Sequence, residues 1–167
     1  MKKIKLLVAG IALALSSNAQ TIGQYYGGGI VFYLDQSGTH GLIADTSDVG
    51  IAQWGCYGTS VYNTTPEVGS GSDNTSHIVS ECNDANFAAK ICNLLVANGY
   101  SDWYLPSLYE LSLMYSNRNI IGGFKEGYYW SSTESNEYSS WTFYFGGGYA
   151  YTFYKNQGYY IRAIRSF

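Results

Sequence analysis

Charge and proline are what this sequence has least of. Only 13% of its 167 residues are charged and only two are proline. Its surface must therefore be made polar by Tyr, Ser, Thr, Asn and Gly. The acidic balance and the shortage of Lys and Arg argue against nucleic acid or sulfated polyanions as partners. No Gly-X-Y repeat occurs, which excludes a collagenous segment. No C-x₂-C pair occurs, and His40 and His77 have no ligand-like spacing to the cysteines, which argues against zinc. No stretch is long and apolar enough to span a bilayer, so membrane insertion is not expected.

The longest apolar run covers residues 6–15, behind Lys2, Lys3 and Lys5. At about ten residues it is too short to span a membrane and reads as the core of a signal peptide. Ser17 and Ala19 supply small residues at −3 and −1, so cleavage is expected before Gln20. No cysteine follows directly, so a lipid anchor is not expected. The expectation is a leader over residues 1–19 and one domain over residues 20–167. That domain would be periplasmic, secreted or held at the cell surface. The leader takes three of the nine basic residues and none of the twelve acids, which leaves a mature charge near −6.

Export permits disulfides. Of Cys56, Cys82 and Cys92, the first two lie in polar, loop-like segments and the third on the apolar stripe of an expected helix. A Cys56–Cys82 bridge with Cys92 as a buried thiol is the favoured arrangement.

The local pattern is α+β. Residues 30–34 form an apolar strand after Gly27-Gly28-Gly29, and residues 40–44 return after the Ser37-Gly38 turn. Residues 45–83 are rich in Gly, Ser, Thr and Asn with little periodicity and read as a long ordered loop. Phe87, Ala88, Ile91, Cys92 and Leu95 make one stripe, which predicts a helix over 84–98, capped by Asn83 or Asp84 and ended at Gly99. Ser107 and Glu110 form an S-x-x-E capping box for a second helix that reaches about residue 119. Strands follow at 129–133, at 141–145 with Trp141, Phe143 and Phe145 inward, at 149–155 after the Gly146-Gly147-Gly148 turn, and at 159–166. The expected architecture is two helices with an antiparallel sheet in which the first and last strands pair. Arg162 and Arg165 are expected to pair with acids such as Glu134 or Glu110.

Several segments point to one family when taken together. They are Gly28-Gly29-Ile30-Val31-Phe32-Tyr33, His40-Gly41-Leu42-Ile43-Ala44 and Gln53-Trp54-Gly55-Cys56. Further on come Asp102-Trp103-Tyr104-Leu105-Pro106-Ser107, Trp130-Ser131-Ser132-Thr133-Glu134 and Arg162-Ala163-Ile164-Arg165. The set resembles the Lcl C-terminal domain family, named for the ends of Legionella collagen-like adhesins, from about residue 22 to 167. The resemblance implies a C-type-lectin-like fold, shared with formylglycine-generating enzymes and with the variable proteins of diversity-generating retroelements. In those variable proteins the C-terminal strands display the changeable, ligand-contacting residues, and residues 136–160 fit that style. Asp102 and Trp103 match the family's strongest motif, with a structural role implied. The E-P-N and W-N-D tripeptides with which sugar-binding C-type lectins hold calcium are absent.

The candidate site is the tyrosine-rich C-terminal segment: Tyr138, Thr142, Tyr144, Tyr149, Tyr151, Tyr154, Asn156 and Tyr159. Tyrosine offers a large rigid face and a polar tip at low entropic cost, which suits recognition of a protein or carbohydrate. It also favours strands for plain packing reasons. By alternation Tyr144 faces solvent, and one of the two sets on 149–154 is expected to be buried. The alternative is a structural subunit of a surface assembly, a homo-oligomer in which the aromatic face packs on sister subunits. Catalysis is not expected: formylglycine-type chemistry needs C-terminal cysteines, and residues 93–167 have none. No cofactor is implied. Asp45, Asp48, Asp73 and Asp84 fit no calcium-loop spacing and read as solvated carboxylates or caps. The Gly27–Gly29 run lacks the G-K-[ST] of a phosphate loop and precedes a strand.

Overall fold

The computed structural model describes residues 19–167. The expected leader lies outside the described residues except for Ala19. The elements in chain order are β1 (Tyr25–Tyr26), β2 (Gly29–Leu34), β3 (Gly41–Ala44), β4 (Gly50–Ala52), α1 (Gly71–Glu81), α2 (Ala88–Asn93), α3 (Leu108–Ser116), α4 (Arg118–Ile121), β5 (Tyr128–Glu134), β6 (Ser139–Tyr144), β7 (Tyr149–Tyr154), β8 (Tyr159–Ile161) and β9 (Ile164–Ser166). They form an α+β fold with two sheets, ordered β1-β2-β3-β9 and β4-β8-β5-β6-β7.

The first sheet is antiparallel, and its strands β2 and β3 pack against core on both sides. Val31 and Ile43 enter one core with Trp54, Phe87, Cys92, Trp103 and Trp130. Phe32, Leu42 and Ala44 enter a second core with Leu111, Met114, Tyr129 and Phe143. Burial of both faces explains why residues 30–34 show an unbroken apolar run instead of alternation. The second sheet is mixed, because β5 and β8 pair in parallel while the other neighbours are antiparallel.

The pairing of first and last strands needs correction. β9 pairs with β3, and β2 lies one strand further out. The expected strand over 159–166 is two strands in two sheets, with Arg162-Ala163 as the crossing point. Arg162 is fully buried there. Its Nε donates to Asp48 Oδ1 at 2.8 Å, and its Nη1 donates to the carbonyls of Asp45 and Gly122. Arg165 makes a two-pronged pair with Asp102, both contacts at 2.7 Å. Neither arginine meets Glu134 or Glu110. Glu134 pairs with buried Lys155 and accepts from Val61 N. Glu110 accepts from Ser107 N and Gly69 N, closing the capping box of α3. The motif residue Asp102 thus anchors the C-terminal strand.

Among the described residues four helices stand where two were expected. α1 lies inside the region read as loop. It buries Gly71, Asn74, Thr75 and Ile78 at helical spacing, so the buried stripe is mostly polar. Asn74 trades two hydrogen bonds with the backbone of Thr65 and donates to Ser132 Oγ. Thr75 Oγ1 both accepts from Leu105 N and donates to Leu105 O. Satisfied polar groups do the work that apolar ones usually do. The helix expected over 84–98 is only α2. Its stripe is correctly placed, since Phe87, Ala88 and Cys92 are fully buried. Asp84 does not cap it but accepts from Cys56 N. Downstream, Asn98 and Gly99 both take positive φ and reverse the chain, with Ala97 and Tyr100 bridged across the turn. Asn-Gly is a strong signal for such a turn. The second expected helix is α3 and α4, broken at Asn117. No helix among the described residues is long and apolar enough to cross a membrane.

Candidate binding surface

β5, β6 and β7 carry one aromatic layer on one face. The register places Tyr128 opposite Tyr144, and Tyr144 opposite Tyr149. Alternation along β7 puts Tyr149, Tyr151 and Phe153 on that same face, and Tyr159 of β8 joins them. Ring centroids are 4.7 Å apart for Tyr128–Tyr144, 5.2 Å for Tyr144–Tyr149 and 4.7 Å for Tyr128–Phe153. Phe153 lies 5.0 Å from Tyr151 and 4.6 Å from Tyr159. Such tilted and edge-on pairs contribute about 0.5–1.5 kcal/mol each beyond area burial. The six rings therefore support one another and present a stiff surface. Tyr149 and Tyr151 are about half exposed, at 49% and 54%.

Neither β7 set is buried, against expectation, because β7 is the outermost strand of its sheet. Tyr154 and Tyr138 are exposed but belong to a different cluster, around Tyr57. Asn156 is exposed in the turn after β7. Thr142, expected on display, lies fully buried beneath the layer, where its Oγ1 donates to Tyr151 O at 2.8 Å. Tyr128, Phe153 and Tyr57 were absent from the candidate set. Tyr128 begins a strand whose other members are mostly buried, and only the β5–β6 register shows that it joins Tyr144.

The layer has an electrostatic signature. The pKa of Tyr128 is pushed up to about 12, mainly by the neighbouring Tyr149 phenol. Burial raises that of Tyr159. A phenol whose folded pKa is raised favours the fold while neutral, so its contribution is complete below the ordinary value of 10 and is lost as pH climbs through about 12. Tyr149→Phe is expected to bring the Tyr128 titration back toward 10. A residue-resolved NMR titration of the tyrosine ring signals reads this, and an unchanged Tyr128 midpoint would contradict the influence of Tyr149.

The Cys56–Cys82 disulfide is formed and Cys92 is a free, buried thiol. Burial pushes the Cys92 pKa far up, which leaves it unreactive. Among the described residues no group of three or more His, Cys, Asp or Glu side chains could hold a metal ion. Asp48 is committed to Arg162 and Tyr129, and Asp84 to the backbone at Cys56.

A search of curated proteins finds no match for the chain. The family model described as the Lcl C-terminal domain matches residues 52–165, a span that starts at the end of β4 and reaches into β9. The match takes in the buried tryptophans, the Asp102–Arg165 pair and the whole aromatic layer, and the chain belongs to the Lcl C-terminal domain family.

Proposed function

We propose that the chain is an exported, non-catalytic recognition module of C-type-lectin-like fold, binding a protein or carbohydrate at a cell surface. The observation that carries this reading is the continuous aromatic layer of Tyr128, Tyr144, Tyr149, Tyr151, Phe153 and Tyr159 on one face of the second sheet. Stiff aromatic faces with polar tips make contact area at low entropic cost. Membership of a family named for the ends of adhesins supports adhesion as the setting. An intramolecular disulfide suits an oxidising compartment outside the cytoplasm. The display positions also suit diversification, because Tyr149 and Tyr151 are exposed beside fully buried Thr142 and Trp130, and Asn156 is exposed in the turn after β7.

The second reading is a structural subunit whose aromatic face packs on sister copies, favoured by the free outer edge of β7. Sedimentation velocity separates the two. Recognition predicts a monomer both for the unsubstituted chain and for Tyr149→Ala/Tyr151→Ala. An oligomer that the double substitution dissolves would overturn recognition in favour of assembly.

A further inference from the structure

Tyr57, Tyr138 and Tyr154 make a second aromatic group, distinct from the sheet face. Tyr154 points to the opposite side of β7 from Tyr149 and Tyr151. Tyr57 stands edge-on to both other rings, at 5.5 Å from Tyr138 and 6.2 Å from Tyr154, with interplanar angles of 64° and 86°. Tyr57 comes from a distant loop, Tyr138 and Tyr154 from the open end of the β6–β7 hairpin, and all three are exposed. Their positions are nonetheless fixed. Gly58 N donates to Glu137 O, Lys155 N donates to Tyr138 O, and Cys56 is tied to Cys82.

Tyr57 also walls a groove of about 380 Å³ together with Glu81 and Asp84. Asp84 is oriented by accepting from Cys56 N at 2.8 Å, and Glu81 is exposed. Lys155 is the cation beneath this region, and it is consumed: it is fully buried, paired with Glu134 and bonded to Thr59 O. The groove thus sets carboxylates beside the Tyr57 ring, and Tyr57 in turn stands edge-on to Tyr138 and Tyr154, which together is the chemistry that receives an organic cation.

We propose that Tyr57, Tyr138 and Tyr154, with Glu81 and Asp84, bind a lysine or arginine side chain of a partner polypeptide. The polypeptide follows from the edge beside the site. Tyr154 closes a second groove, of about 360 Å³, that runs along β7 past Tyr151, Thr152 and Phe153. β7 is the last strand of its sheet. The Lys155 N to Tyr138 O bond fixes the alternation, so the N–H and C=O groups of Ala150 and Thr152 point away from β6. An extended peptide added on that edge would carry its cationic side chain to the Tyr154–Tyr57 corner.

Calorimetric titration with a capped tri-lysine peptide tests this on the full chain. Saturable binding is expected, weakened about fivefold or more by Tyr57→Leu and by Glu81→Gln. Tyr154→Leu, at an exposed ring, should act in the same direction if Tyr57→Leu disturbs folding. Tyr149→Ala should leave tri-lysine binding unchanged, which separates this site from the aromatic layer. The proposal is overturned if tri-lysine binds no better than tri-glycine, or if binding ignores both Tyr57→Leu and Tyr154→Leu. It is equally overturned if Tyr149→Ala abolishes binding, or if tetramethylammonium binds more tightly than tri-lysine, which would mark a quaternary amine.

Discussion

Asp48→Ala is expected to destabilise the fold by about 3–5 kcal/mol, because it strands a buried guanidinium. Arg162 has no exposed side-chain surface. Asp48 Oδ1 lies 2.8 Å from its Nε and 2.7 Å from its Nη2, and Phe124 covers the guanidinium at 4.2 Å. The same carboxylate accepts from the Tyr129 hydroxyl at 2.9 Å, and that hydroxyl in turn accepts from Lys125 N. The substitution therefore leaves a charge and a phenolic donor without their acceptor. The pair sits where the chain crosses from β8 to β9, so its loss should loosen the position of Tyr159 as well. Asp102→Ala is the internal control. Its partner Arg165 is similarly engaged, but Asp102 is 55% exposed, so water can substitute and the loss should be much smaller. Urea unfolding reads both. Equal losses would contradict the assignment of Arg162–Asp48 as the buried member.

Removing the Cys56–Cys82 bridge should cost about 3–4 kcal/mol, from the chain entropy released when a loop of this length opens. The cysteines are 26 residues apart and enclose the segment that carries Tyr57, Tyr62 and all of α1. That segment is held mainly by polar contacts, such as those of Asn74 and Thr75, which water competes for once the loop opens. A double Cys56→Ala/Cys82→Ala chain should therefore unfold at lower denaturant concentration. Reducing agent should shift the unsubstituted chain to the same midpoint and leave the double variant where it is. A reductant-sensitive double variant would implicate Cys92, which its burial argues against.

What the sequence made legible follows its physics. The capping box at Ser107 and Glu110, the glycine turn between β6 and β7, and the pairing of Cys56 with Cys82 are local or chemically restricted, and each was readable. The membership of the family was readable from its motifs. α1 was not, because Asn74 and Thr75 fill buried positions that periodicity assigns to apolar residues. The C-terminal end of α2 was misjudged because Leu95 continues the apolar stripe and packs on the core after the helix has ended at Asn93, and Asn98-Gly99 turns the chain. The arginine partners were wrong because ion pairing across 63 and 114 residues depends on the crossover between sheets. In the candidate surface, alternation placed Tyr144 correctly, but Thr142 and the exposure of both β7 faces depend on β7 being an edge. Tyr128 and Tyr57 enter only through register and the disulfide-held loop.

The central claim is that the aromatic layer on β5, β6 and β7 recognises a ligand. It is tested most directly by immobilised arrays of glycans and cell-surface proteins, probed with the unsubstituted chain and with Tyr149→Ala/Tyr151→Ala, followed by titration of the tightest array component. Tyr149 and Tyr151 are half exposed and each gives up one ring pair, so the double variant should lose about 1–3 kcal/mol and still fold. Its affinity should fall by at least about thirtyfold, in the range of losses seen for central aromatic contacts. An unchanged affinity in a folded double variant would contradict the account.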